Sequence, residues 1–228
     1  MSLQNLTLRE LCGLESVIPG LCGFPTRILA RTYDDFIGIL YADIDHIVRE
    51  LEENPELLKN DGEDRLTIEI KRGLVYKGYN ATHDSKHGGH TDLLVRKGEF
   101  VWIGEAKIHS DYNYIWEGFL QLTTRYSTGG VNQKDGGIII YIRINSAKAV
   151  MDEWLKQLSQ KGLPGFSSLM CDKNPIAFFS SHTHDKSGLP FRIRHIPVML
   201  HFEPKDKSGR KRKRSIKSTL KTVPPTTS

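Results

Sequence analysis

Residues 89–107 constrain the chain most, because they place three charged side chains on two strand-length runs that a turn folds against each other. Gly89-His90-Thr91-Asp92-Leu93-Leu94-Val95 is followed by Arg96-Lys97-Gly98-Glu99, then by Phe100-Val101-Trp102-Ile103-Gly104-Glu105-Ala106-Lys107. Both flanks are β-branched or aromatic, and the middle carries turn chemistry, so the segment reads as a hairpin. Pairing Val95 with Phe100, through a Lys97-Gly98 turn or a four-residue loop, sets Asp92 opposite Ile103. Glu105 is then the diagonal neighbour of Asp92 on one face, with β-carbons roughly 7–8 Å apart. Two carboxylates at that separation can share a divalent cation, with oxygen-to-metal distances of about 2.1 Å for magnesium. Lys107, two residues beyond Glu105, shares their face.

A Glu-x-Lys triplet alone carries little information, since about one is expected by chance at ordinary composition, and this chain has three. Glu69-Ile70-Lys71 falls in a helical pattern, where positions two apart point in different directions. Glu203-Pro204-Lys205 has a proline inside it and opens the basic C-terminal stretch, although Asp185 upstream makes it the fallback candidate. Glu105-Ala106-Lys107 alone combines a preceding apolar strand, an upstream aspartate at a strand start and a following helix. Upstream, Asp61-Gly62-Glu63-Asp64 reads as a helix start with acids in its first turn. Glu63, Leu66, Ile70 and Leu74 then recur at spacings of three and four, so Glu63 extends the buried stripe toward the hairpin. Residues 114–126 read as a second helix, and Gly136-Gly137-Ile138-Ile139-Ile140-Tyr141-Ile142 as a strand buried on both faces of a central sheet.

Helix, hairpin, helix and buried strand, with Asp92 and Glu105-Ala106-Lys107 in the hairpin, resemble the PD-(D/E)xK nuclease superfamily over residues 61–144. Thr91 stands where the family often has proline. The resemblance implies an α/β, restriction-endonuclease-like fold, a mixed β-sheet core flanked by helices. It also implies magnesium- or manganese-dependent hydrolysis of phosphodiesters in nucleic acid, DNA before RNA and internal cuts before terminal ones. Asp92, Glu105, the Ala106 carbonyl and Glu63 would hold the ion, and Lys107 would orient water or stabilise developing charge. In the branch resembling the exonuclease modules of recombination helicases, a glutamine and a tyrosine four residues later approach the site. Gln121 matches that glutamine, but Arg125 holds the tyrosine's place and Tyr126 follows it. A defence or restriction role is an analogy of fold. The alternative is a catalytically silent nucleic-acid-binding or scaffold subunit, whose expected mark, a missing acid or lysine, is not found here.

The chain divides on composition into an N-terminal helical extension (1–58), a core (59–203) and a basic tail (204–228). Apolar residues from Phe36 to Leu51 repeat helically, with Asp34 or Asp35 as cap and Asn54-Pro55 as terminator. Residues 1–30 take no clear assignment and are a candidate cap over the site or arm for a partner protein or second copy. Residues 203–228 hold nine Lys or Arg against two acids, a net +7 that leaves residues 1–202 at −2 of the chain's +5. The run Arg210-Lys211-Arg212-Lys213-Arg214 is expected to be disordered and to contact phosphates. Arg125, Arg192 and Arg194 are further candidate nucleic-acid contacts, the last two on one face of a late strand.

His83, His87 and His90 resemble a metal cluster only in spacing, since the segment is polar, Gly-rich and without cysteine, and an exposed loop is the expectation. Ser146 to Leu158 reads as a helix, and residues 175–179 and 191–202 as strands. Three cysteines without a C-x-x-C pair fit reduced thiols. With neither an apolar run of membrane length nor a signal-like start, the expected compartment is the cytoplasm.

Overall fold

A computed structural model describes residues 6–21, 23–86 and 89–206 of the chain. In chain order the helices are α1 (Leu8–Leu14), α2 (Phe24–Leu29), α3 (Tyr33–Glu52), α4 (Pro55–Leu58), α5 (Glu63–Tyr76), α6 (Tyr112–Leu120) and α7 (Ala147–Ser159). The strands are β1 (Asn80–Thr82), β2 (Ser85–Lys86), β3 (His90–Thr91), β4 (Leu93–Lys97), β5 (Phe100–Ile108), β6 (Asp135–Ile142), β7 (Ser167–Cys171), β8 (Asn174–Thr183) and β9 (Pro190–Met199). Seven strands form one mixed sheet in the order β1-β4-β5-β6-β9-β8-β7, while β2 and β3 pair separately. The pairs β5–β6 and β6–β9 are parallel and the others antiparallel. The expected α/β class with a mixed sheet between helices is therefore what the chain forms.

β6 is the centre, with all eight residues buried, because helices cover both of its faces. One core joins α3 and α5 to the sheet through Phe36, Leu40, Ile44, Leu66, Ile70, Trp102, Ile139 and Tyr141. The other joins α6 and α7 to the opposite face through Ile115, Phe119, Ile138, Ile140, Trp154 and Ile193. α3, in the expected N-terminal helical extension, contributes to the same core as β5 and β6. The N-cap of α3 is Thr32, not Asp34 or Asp35. The Thr32 hydroxyl accepts from the Asp35 amide while the Asp35 carboxylate accepts from the Thr32 amide, a reciprocal capping box.

The hairpin has a two-residue turn, set one residue later than Lys97-Gly98. Lys97 pairs with Phe100 and Val95 with Trp102, so the turn is Gly98-Glu99, with Gly98 at φ 58°. A glycine at the first central position permits that positive φ and a two-residue turn. The slip is two residues, so each side chain keeps the face expected of it while Asp92 moves level with Glu105 rather than Ile103. The strands expected over 175–179 and 191–202 are β8 and β9. β7 was not foreseen, because its partner-facing signal is weak and four of its five residues are exposed.

His195 on β9 is fully buried between Trp154 and Ser180. Its Nδ1 accepts from the Trp154 indole at 3.0 Å and its Nε2 lies 2.8 Å from the Ser180 hydroxyl. A proton on Nδ1 would meet another donor, and burial pushes the imidazole down to about 3, with His182 adding to the shift. The unfolded chain therefore binds this proton below its ordinary value and the fold does not. Stability is complete above about pH 6.5 and falls as pH drops toward 3, by about 2 kcal/mol at pH 5. Urea unfolding at pH 7 and pH 5 should show that loss, and a smaller one in His195→Gln.

Candidate active site

The ladder between β4 and β5 ends at Leu93 and Gly104, which leaves the outer edge of β5 without a strand partner from Glu105 onward. Two carboxylates take the strand's place. The Ala106 amide donates to Asp92 Oδ2 at 2.8 Å, and the Ile108 amide donates to Glu63 Oε2 at 2.7 Å. A buried amide must find an acceptor, so the splayed strand itself draws the two acids to the strand carrying Glu105 and Lys107. Glu63 gets there because it is the first residue of α5, one turn before Leu66 and Thr67, which anchor that helix in the first core.

Lys107 Nζ lies at the centre of the acids. It is 2.6 Å from Glu105 Oε1, 3.6 Å from Glu63 Oε1 and 3.8 Å from Asp92 Oδ2. Glu105 is 2% exposed and Lys107 6%. Three carboxylates against one ammonium give a net −2 when all are ionised. Burial, with Asp92 adding its charge, pushes the Glu105 carboxyl up to about 8, although Lys107 opposes the shift. Burial alone would lower the Lys107 ammonium, but Glu105, with Asp92 and Glu63, outweighs it and raises it. Glu63 is also raised, chiefly by burial and against the pull of Lys107. Gly118 of α6 closes the cluster from the other side, since a β-carbon there would lie 2.9 Å from Lys107 Cγ and Cε.

The donor set suits a hard divalent cation in part. Glu105 Oε2 is buried without a partner. The Ala106 carbonyl faces the same strand edge as its amide, toward Asp92, because a strand residue points both groups to one side. Asp92, Glu105 and the Ala106 carbonyl are thus oxygen ligands of the right kind. Glu63 departs from the expected ligand set. Its Oε2 is taken by the Ile108 amide, and Tyr114 Oη lies 3.2 and 3.3 Å from its two oxygens. Among the described residues no group of three or more acidic, histidine or cysteine side chains is arranged to hold an ion. The ammonium of Lys107 sits between these acids, and Glu63 is turned to the backbone.

The stretch expected as one helix over 114–126 changes pitch. α6 ends at Leu120, and Gln121–Tyr126 is π-helical, with the Ser127 amide donating to Leu122 five residues back. The wider turn makes residues five apart neighbours along the helix. Gln121 and Tyr126, five apart, are therefore brought toward one side of the helix. Gln121 Oε1 is buried without a partner, one turn after Gly118. Tyr126 is 6% exposed, and its phenol is raised by burial and by the charges of Glu105 and Asp92. Arg125 stays exposed, with its carbonyl accepting from Lys186 Nζ. Sequence reasoning passed over Tyr114, whose ring lies 5.4 Å from Lys107 Nζ. An aromatic in the first turn of an amphipathic helix gives no signal of its own.

Arg192 and Arg194 do not join these residues; Arg192 is exposed and Arg194 is buried. They lie on the α3 face of the sheet, opposite to Glu105 and Lys107, around a cavity of about 700 Å³. Arg192 Nε is 2.5 Å from Asp135, and Arg194, 1% exposed, holds Asp45 at 2.9 Å. Alternation along β9 put them on one face as read, but acids from α3 and β6 engage both. His83 Nδ1 is 2.6 Å from the Asp92 carbonyl, whereas His90 is exposed and paired with Asp84, so the two do not converge. His87 and Arg210, Lys211, Arg212, Lys213 and Arg214 lie outside the described residues. His184 is buried against the Ser127 hydroxyl at 2.7 Å and His182 against Phe119, so neither faces a phosphate. Of the other triplets, Glu69 is held by Arg65 and Arg72 on the outer side of α5, and Glu203 follows β9 in exposed chain. Among the described residues no helix is long and apolar enough to cross a membrane. Comparison with protein-family models, with curated proteins and with solved structures finds no match to the chain.

Proposed function

We propose that the protein is a metal-dependent nuclease, with a restriction-endonuclease-like core, that hydrolyses phosphodiesters of nucleic acid. The observation that carries this reading is the convergence of Asp92, Glu105 and Glu63 within 4 Å of Lys107 Nζ, at a strand edge left open by the splay of β4. Three acids gathered around one lysine cost stability unless a further cation balances them.

A magnesium or manganese ion, when bound, would polarise the scissile phosphate and acidify a water. Asp92, Glu105 and the Ala106 carbonyl would hold the ion, and Glu63 would fix the edge of β5 through the Ile108 amide. Lys107 would place its ammonium against the phosphate oxygens on which negative charge grows. Gln121 and Tyr126 line the same side, and exposed Arg125 is available to a phosphate of the backbone. The basic tail would add sequence-independent affinity that weakens with salt. DNA cut internally is the favoured substrate, and a defence or restriction role follows only by analogy with proteins of that fold.

The test is incubation of supercoiled plasmid and linear DNA, and of RNA, with magnesium, manganese or EDTA at low and moderate salt. Ion-dependent nicking or linearisation is expected, with none in EDTA and none in Asp92→Ala. Equal turnover by Asp92→Ala, or no turnover by the unaltered chain with either ion, would remove the proposal.

A further inference from the structure

We propose that Tyr114 is a positioning residue that fixes the Lys107 ammonium and the Glu63 carboxylate relative to each other; its catalytic consequence rests on the hydrolytic reading above. Tyr114 makes two contacts into the cluster from one side chain. Its hydroxyl bridges both oxygens of Glu63 at 3.2 and 3.3 Å, and its ring carries the Lys107 ammonium 5.4 Å from its centroid. The backbone beneath it is fixed as well. Asp111 caps α6 by accepting from the amides of Asn113 and Tyr114 at 2.9 and 3.0 Å, so the tyrosine leaves the helix at a set point.

Packing does not account for this tyrosine. On the same helix Tyr112 and Trp116 lie against the second core, whereas Tyr114 belongs to neither core. Its contacts are polar and cationic, and they reach residues of two other elements, α5 and β5. A lysine stem has four rotatable bonds and loses considerable freedom when its tip is held. Glu105 holds that tip from the strand side. The Tyr114 ring restrains it from the α6 side through the attraction of a cation to an aromatic face. Without the ring the ammonium keeps its charge partners but loses the wall that sets its direction, and misplacement by about 1 Å is enough to slow chemistry.

Two variants separate the ring from the hydroxyl. Tyr114→Phe keeps the aromatic face and removes the bridge to Glu63, and Tyr114→Leu removes both. The first readout is independent of turnover: the ε-methylene and ammonium resonances of Lys107 in metal-free protein, assigned by their loss in Lys107→Arg. A ring-current displacement is expected in the unaltered chain and in Tyr114→Phe, and should vanish in Tyr114→Leu while the backbone amide spectrum elsewhere is kept. The second readout is kinetic. Tyr114→Leu should lower kcat by about 10²-fold with little change in KM, and Tyr114→Phe should recover most of that loss.

A Lys107 resonance that does not move in Tyr114→Leu overturns the proposal, as does a loss confined to KM or one that Tyr114→Phe does not relieve. If the unaltered chain cleaves nothing with either ion, the nuclease reading falls, and the resonance experiment still decides whether Tyr114 holds Lys107.

Discussion

Glu105→Gln is expected to lose hydrolysis by about 10³-fold while the metal-free protein stays as stable as the unaltered chain or becomes more so. Both halves follow from the same position. Glu105 is buried at 2% exposure, and its charge is disfavoured by burial and by Asp92, enough to lift its carboxyl to about 8 despite Lys107. A glutamine has the same shape, still accepts from Lys107 Nζ through its carbonyl oxygen, and carries no charge to desolvate. It also removes the anionic oxygen that a hard cation prefers. Turnover and thermal unfolding in EDTA, measured on the same preparations, check the pair of outcomes. A variant that loses activity because it has unfolded would contradict the electrostatic account. One that retains turnover would move the chemistry elsewhere.

Trp102→Ala is expected to cost about 3–5 kcal/mol of folding stability, a fall in Tm on the order of 10 °C for a domain of this size. The indole is fully buried in the first core and donates to Tyr41 Oη at 3.3 Å. It lies in a slot made by two glycines that pair across β5 and β6, Gly104 and Gly137. A β-carbon at Gly104 would fall 2.6 Å from the ring, and one at Gly137 2.5 Å from it. Gly137→Ala should therefore overpack the slot and cost about 1–3 kcal/mol. The two changes share one space, so Trp102→Leu combined with Gly137→Ala should cost less than the sum of the singles. Urea unfolding of the four proteins closes the cycle, and strict additivity would mean that the ring and the glycines do not compete.

Those glycines show how the sequence was informative and where it stopped. Gly136-Gly137 before Ile138 reads as the start of a buried strand, but the reason for Gly137 lies in Trp102, on another strand, which no local pattern reveals. The face shared by Glu105 and Lys107 follows from two-residue periodicity, and Asp92 kept its side when the hairpin slipped by two, since an even slip preserves the face. Glu63 was legible as an extension of the α5 stripe. Its contact with the Ile108 amide was not, because it depends on β4 ending early. A regular helical repeat sets Gln121 and Tyr126 further apart around the axis than the wider turn over Gln121–Tyr126 does, and nothing local in the sequence announces that turn. Arg192 and Arg194 share one face, as alternation implies, but Arg192 stays exposed while Arg194 is buried, because the acids that engage them, from the start of β6 and from α3, lie at different depths.

The open edge of β5 also divides labour within single carboxylates. Asp92 caps the Ala106 amide with Oδ2, and Glu63 caps the Ile108 amide with Oε2, so each acid spends one oxygen in holding the strand's shape. For Asp92, a visiting cation would find a ligand already oriented by the backbone and would not have to compete for the oxygen that secures it. Scaffold and reagent are then one residue. Replacing that aspartate by asparagine would retain an acceptor for the amide while withdrawing the charge, which makes it the gentler of the two ways to silence the position.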